Sequence, residues 1–148
     1  MSLIEDRLRQ LGLELPPARA PVANCVSTKR SGDLLFVSGK VSDLRGEVGR
    51  DVTPAHAKGA ARSTALQLLA IIRRDLGDLD RVASVERMQG FVRATPDFAD
   101  HPQVIDGASE LLVEVFGEAG RHARTATGVA SLPFGAAVQL DLVLRVER

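Results

Sequence analysis

The chain has 148 residues, 45% of them apolar and 26% charged, with nineteen basic residues against nineteen acidic ones. That is the size and composition of one globular domain with a full core, and it excludes a disordered tail, a collagen-like chain and a membrane span. The most apolar window, Ala65 to Ile72, has eight residues and contains Gln67, where a spanning helix needs about 20. Zero net charge gives no long-range pull towards nucleic acid or an anionic membrane. With no Trp, no Tyr and five Phe, platforms for base stacking are few. Neither nucleic acid nor membrane is therefore expected as a partner.

Ile4, Leu8 and Leu11 predict a short N-terminal helix stopped at Gly12. Its opening MSLIEDRLRQ holds two acids and no long apolar run, unlike a signal peptide. A lone cysteine, Cys25, forms no internal bridge, so a reducing cytoplasm is the expected location. The stretch Pro16 to Pro21 is extended by its prolines and separates this helix from the body.

Residues 22–29 read as a strand, Ser31-Gly32-Asp33 as a turn, and Leu34 to Val37 as a second strand ended by Ser38-Gly39. Residues 42–51 read as a polar loop. Thr53-Pro54 starts a helix, with Thr as N-cap. Ala57, Ala61, Ala65, Leu68 and Ile72 form its apolar stripe, and Gly77 ends it. Residues 82–94 read as a long strand whose alternation slips near Glu86-Arg87, which predicts a bulge. Asp100-His101-Pro102 opens a helix with the stripe Val104, Ala108, Leu111 and Val115, closed by Gly117 and Gly120.

Thr125 to Val146 read as two strands joined at Leu132 to Gly135. In the last, Val138, Leu140, Leu142, Leu144 and Val146 face one side, with Gln139, Asp141, Val143 and Arg145 on the other. The order β-β-α-β-α-β-β predicts an α+β domain spanning residues 1–148, with antiparallel hairpins at both ends. Two helices would cover one face of a mixed sheet, leaving the other to a partner subunit if it is apolar.

His56, His101 and His122 have no His or Cys at metal-ligand spacing, and no HExxH, paired CxxC, GxSxG, Walker A or GxGxxG occurs. Cys25 is either a small hydrophobe or a nucleophile. Arg124, before a strand and after a flexible Gly120-Arg121-His122, is either a solvated arginine or a bidentate clamp for a carboxylate. Ser38-Gly39 is either an ordinary turn or a place where backbone amides face a ligand. Gln139 and Asp141, about 6–7 Å apart along one strand face, are either a half-exposed face or a polar pair.

The hairpin LLFVSG, the segment Ala123-Arg124-Thr125-Ala126 and the following Val129-Ala130-Ser131-Leu132-Pro133, in this order of elements, resemble the Rid (reactive intermediate deaminase, YjgF-like) family over about residues 22–146. The leading helix and Asn24-Cys25 before the hairpin resemble a longer-N-terminus subgroup. The resemblance implies a chorismate-mutase-like fold, assembled as a homotrimeric barrel with ligand clefts between subunits. It implies hydrolysis of reactive 2-imino acids to 2-keto acids and ammonia, without a cofactor.

By the same resemblance Arg124 would hold the substrate carboxylate, with C2 over the backbone of Thr125-Ala126. Ser38 and Gly39 would form a cleft wall, and Phe91 and Phe134 its apolar lining. Gln139 falls where the deaminases carry a glutamate that activates water, and a glutamine amide orients water without taking its proton. Cys25 falls where many members carry tyrosine, Ala126 where a frequent cysteine acts through its backbone, and Asp106 where asparagine often lies. Asp141 and His122 are candidate substitutes for the missing base. The alternative to a deaminase is a non-catalytic trimer that binds small carboxylates, motivated by Gln139. A third reading, an endoribonuclease or translation inhibitor, is opposed by the charge balance and by the lack of a histidine pair.

Overall fold

The computed structural model describes residues 2–147. Helix α1 (Leu3–Gln10) is capped by the Ser2 hydroxyl, which accepts from the Glu5 amide. Asp80 accepts from the Leu3 and Ile4 amides (2.8 and 2.9 Å) and so pins the helix start, while Leu8 is buried. Strands β1 (Thr28–Ser31) and β2 (Leu34–Val41) form a hairpin about Gly32-Asp33, with Gly32 at φ 61°. The strand expected at 22–29 is shorter and later. Residues 22–25 bend instead, with the Cys25 amide bonded to the Ala23 carbonyl at 2.8 Å, because this segment walls a cavity rather than pairing. The second strand outruns its expected end at Val37. It continues to Val41 through a register shift between Val37 and Lys40.

Helix α2 (Pro54–Leu76) has the predicted cap: the Thr53 hydroxyl accepts from the His56 amide. Gly77 ends it at φ 88°. Strand β3 (Val82–Arg93) carries the predicted bulge between Val85 and Arg87. Helix α3 (His101–Phe116) returns the chain to β4 (Ala123–Val129), and β5 (Val138–Val146) closes the domain. Both long helices lie on one sheet face. They approach so closely that a Cβ on Gly107 would stand 2.1 Å from the Lys58 carbonyl oxygen; only glycine fits there. The buried stripes of α2 and α3 meet Val138, Leu140, Leu142, Leu144 and Val146 in one core.

The sheet order is β1-β2-β5-β3-β4, antiparallel except for the parallel β3–β4 pair. The C-terminal hairpin expected from the sequence does not form. The α3 crossover lays β4 parallel to β3, and the turn at Pro133–Gly135 carries the chain across to the other edge of β3. There β5, apolar on its core face, pairs on both sides as the central strand.

Among the described residues no helix covers the second face. It presents Phe36, Phe91 and Val143 with Arg87, Gln89, Gln139 and Asp141, as their cross-strand partners show. Burial pushes the Asp141 carboxyl above its ordinary value, and Arg87 only partly opposes this. The folded chain thus holds this proton more tightly than the unfolded one. That stabilisation is complete below about pH 3.8 and is lost as pH rises through the folded value. Asp141→Asn is expected to melt higher than the parent at neutral pH, with the difference closing in acid. A lower neutral melting temperature would contradict this.

Candidate functional site

Two groups of residues carry the candidate chemistry, and one chain keeps them apart. The first surrounds a cavity of about 330 Å³ where residues 19–27 pass the β2 bulge and the turn before β5. Its walls include Cys25, Ser38, Gly39, Phe134 and Gln139, four of which were expected as substrate-binding or catalytic residues and Phe134 as apolar lining. The Ser38 hydroxyl donates to the Val26 carbonyl (2.6 Å), and the Ser38 amide donates to the Ser27 carbonyl (2.9 Å). Ser38 therefore ties the cavity wall to the bulge. Gly39 leaves room for the Gln139 amide: a Cβ there would lie 3.2 Å from Gln139 Nε2.

Phe134 is 61% exposed and sits at φ 59°, the sole non-glycine residue at positive φ among those described. A bulky side chain there costs about 1–3 kcal/mol. Phe134→Gly is expected to raise the melting temperature while widening the cavity mouth. A fall in melting temperature would show that ring packing outweighs the strain.

Arg19 and Lys40 also line this cavity, and neither was singled out from the sequence. Arg19 grips Asp43 through two hydrogen bonds of 2.6 and 2.9 Å, which hold the Asp43 carboxyl below the usual carboxylate range. Lys40 is pushed below the ordinary lysine value, first by burial and then by the Arg19 charge, with Asp43 opposing. The one signal for Lys40 was its place directly after Ser38-Gly39.

The second group lies on the far edge of the sheet. Arg124 in β4 is 22% exposed. Its Nη1 donates to Asp106 (2.7 Å) and Ser109 (2.9 Å), and its Nη2 donates to the Pro102 carbonyl (3.2 Å). It is thus a guanidinium fixed on α3, not a solvated arginine. Nε–H and one Nη2–H keep no partner among the described residues. Ser109 also touches His122 Nε2 (2.9 Å), whose Nδ1 faces the Gly120 carbonyl (2.6 Å). A carbonyl only accepts, so Nδ1 carries hydrogen and the Ser109 hydroxyl can donate to Nε2. His122 is therefore joined to Arg124 through one hydroxyl.

Thr125 lies on the uncovered face, accepting from Arg87 (3.3 Å). Ala126 packs against the core. Asp141 stands on the uncovered face beside Gln89. Phe91 pairs with Gln139 across the strands but does not line the cavity. His101 meets the ring of Phe98 edge-on at 5.1 Å, and His56 lies at the start of α2. Among the described residues no three His, Cys, Asp or Glu are grouped to hold a metal ion, and no helix is long and apolar enough to cross a membrane.

Three strand spacings separate β2 from β4, about 14 Å. Arg124 of one copy does not reach the cavity of that same copy. As an edge strand, however, β4 turns half of its backbone N–H and C=O groups outward.

Residues 5–144 match the family model described as "YjgF/chorismate mutase-like, putative endoribonuclease". The chain belongs to the YjgF/chorismate mutase-like family. This YjgF-like chain is 44% identical to Protein TCP17 of Trypanosoma cruzi over 150 residues, which is 97% of the chain and 94% of that protein. Among solved structures it is similar to Atu1372 of Agrobacterium tumefaciens, a protein described as of unknown function, at 44% identity and a TM-score of 0.90, covering 97% of this chain and 92% of that one. It is also similar to a Shewanella oneidensis protein named "putative endoribonuclease", at 32% identity and a TM-score of 0.92, covering 97% and 99%.

Proposed function

We propose that this YjgF-like chain is a Rid-type deaminase, hydrolysing small 2-imino acids to 2-keto acids and ammonia as a homotrimer in a reducing cytoplasm. Each cleft pairs the cavity of one copy with β4 of the next. The observation that carries the reading is Arg124, a guanidinium fixed by three acceptors and keeping two N–H groups for a carboxylate.

With the carboxylate held there, C2 lies over the outward backbone of Thr125-Ala126, and the imine nitrogen points towards Gln139 of the neighbour. Gln139 holds the attacking water through its amide. The proton released on attack passes to the imine nitrogen, which must gain protons to leave as ammonia. The reaction consumes water alone, so no cofactor enters. Positioning in a cleft closed by Phe134 supplies most of the acceleration.

Gln139 also supports a second reading, a trimer that binds small carboxylates without turning them over. The endoribonuclease name is carried by the family model and by the Shewanella relative. In this chain His101 packs against Phe98, His122 bonds to Ser109 and His56 stands at the start of α2, and no two imidazoles are seen paired among the described residues for acid–base cleavage of RNA.

The deciding measurement is ammonia release from freshly generated 2-iminopropanoate against buffer. Acceleration by the protein, increased further in Gln139→Glu, supports the deaminase. No acceleration, with pyruvate raising the melting temperature, supports the binding protein. Neither effect would remove both readings.

A further inference from the structure

We propose that Lys40 is a nucleophilic amine that captures 2-imino and 2-keto acids in the cavity as a Schiff base. The substrate class rests on the deaminase reading above; the reactivity of the amine does not.

Of the cavity's polar lining, the Gln139 amide cannot take up a proton, and the Ser38 hydroxyl is committed to the Val26 carbonyl. Arg19 is held by Asp43 in two hydrogen bonds. Cys25, Ser27 and Lys40 remain, and Lys40 is the one amine. Its Nζ has no hydrogen bond or ion pair among the described residues.

The fold explains this. Lys40 pairs with Leu140, a core-facing position, just past the register shift. Its side chain therefore leaves the strand on the helix side, where Ile71 of α2 also lines the cavity. The charged groups around it are Arg19, Asp43 and, across an adjoining hollow, Arg45. Burial and then the Arg19 charge disfavour the ammonium more than Asp43 supports it, which shifts the balance towards the neutral amine that a nucleophile needs.

The chemistry balances without an oxidant or a cofactor. The Lys40 nitrogen adds to C2 of the imino acid, forming a C–N bond and placing the π electrons on the substrate nitrogen. A proton passes from Nζ to that nitrogen and a second joins it from solvent. The old C–N bond then breaks and ammonia leaves, giving C2=Nζ. Water adds to C2 of this protonated Schiff base and one proton returns to solvent. The carbinolamine hydroxyl proton then passes to Nζ as the C2–Nζ bond breaks, and the keto acid departs with the amine restored. Net, one imine and one water give one keto acid and one ammonia. Direct attack of water on the imine is thereby replaced by addition of the amine, followed by addition of water to the more electrophilic protonated Schiff base.

The experiment is reductive trapping. The purified protein is incubated with pyruvate and borohydride, and the adduct is located by peptide mass mapping. The other two lysines, Lys29 and Lys58, serve as internal controls. The expected result is labelling of Lys40 at least tenfold above either control, none at position 40 in Lys40→Arg, and at least tenfold slower ammonia release in that variant. Equal labelling of the three lysines, or no adduct where pyruvate measurably stabilises the fold, overturns the inference. Unchanged ammonia release in Lys40→Arg overturns it while leaving the deaminase reading standing. Trapping at Lys40 without any ammonia release from 2-iminopropanoate upholds the amine and removes the deaminase.

Discussion

Arg124→Ala is expected to lower kcat/KM for 2-iminopropanoate about a hundredfold. Two charge-assisted hydrogen bonds to a carboxylate contribute about 3 kcal/mol between them in a partly dry cleft, and 1.4 kcal/mol is a factor of ten. The loss should be nearly as large in Arg124→Lys, because an ammonium cannot keep the fork that serves Asp106, Ser109 and the Pro102 carbonyl at once. Asp106→Asn should act in the opposite direction on binding. Asp106 now neutralises the guanidinium at 2.7 Å, so a substrate carboxylate binds beside an existing negative charge. Removing that charge while keeping an acceptor oxygen should lower KM several-fold. Wild-type kinetics in Arg124→Ala would remove Arg124 as the group that holds the substrate carboxylate.

Mixing two inactive variants is expected to restore about a quarter of the parent activity. Arg124→Ala removes the clamp, and Cys25→Trp fills the cavity from an exposed wall without touching a strand. Each is inactive alone. If a cleft takes its clamp from one copy and its cavity from the next, random reassembly of equal amounts gives an intact cleft with a probability of about one half times one half. A site contained within one chain would give no recovery at all. Gel filtration of the mixture checks that subunits have exchanged. The separation of β2 and β4 by two intervening strands is the structural reason for expecting recovery.

Much of the chain's local structure is legible in its residues. Thr53-Pro54 and Gly77 bound α2 as expected, because a cap and a left-handed stop act within one helical turn. The slip near Glu86-Arg87 shows as a bulge, and the period-two burial of β5 follows its alternating apolar residues. The candidate site was named residue by residue. Cys25, Ser38, Gly39 and Gln139 could each be named, and the structure gathers them at one cavity. Arg124 and Asp106 could be named too, eighteen positions apart in sequence, and they prove to be an ion pair. Lys40 and Arg19 escaped notice because nothing about an isolated lysine or arginine in sequence tells whether Ile71 of α2 will line the same cavity.

What the sequence by itself determined is therefore the set of elements, their caps and bends, and which side of each strand is apolar. These depend on residues within a few positions of one another. Tertiary structure alone decided that β5 lies between β2 and β3, that β4 runs parallel to β3, and that Arg124 and the β2 wall of the cavity stand three strand spacings apart in one sheet. Strand pairing is a choice among distant segments with equally good backbone donors and acceptors. Only the combined burial of both helices against the whole sheet selects the order.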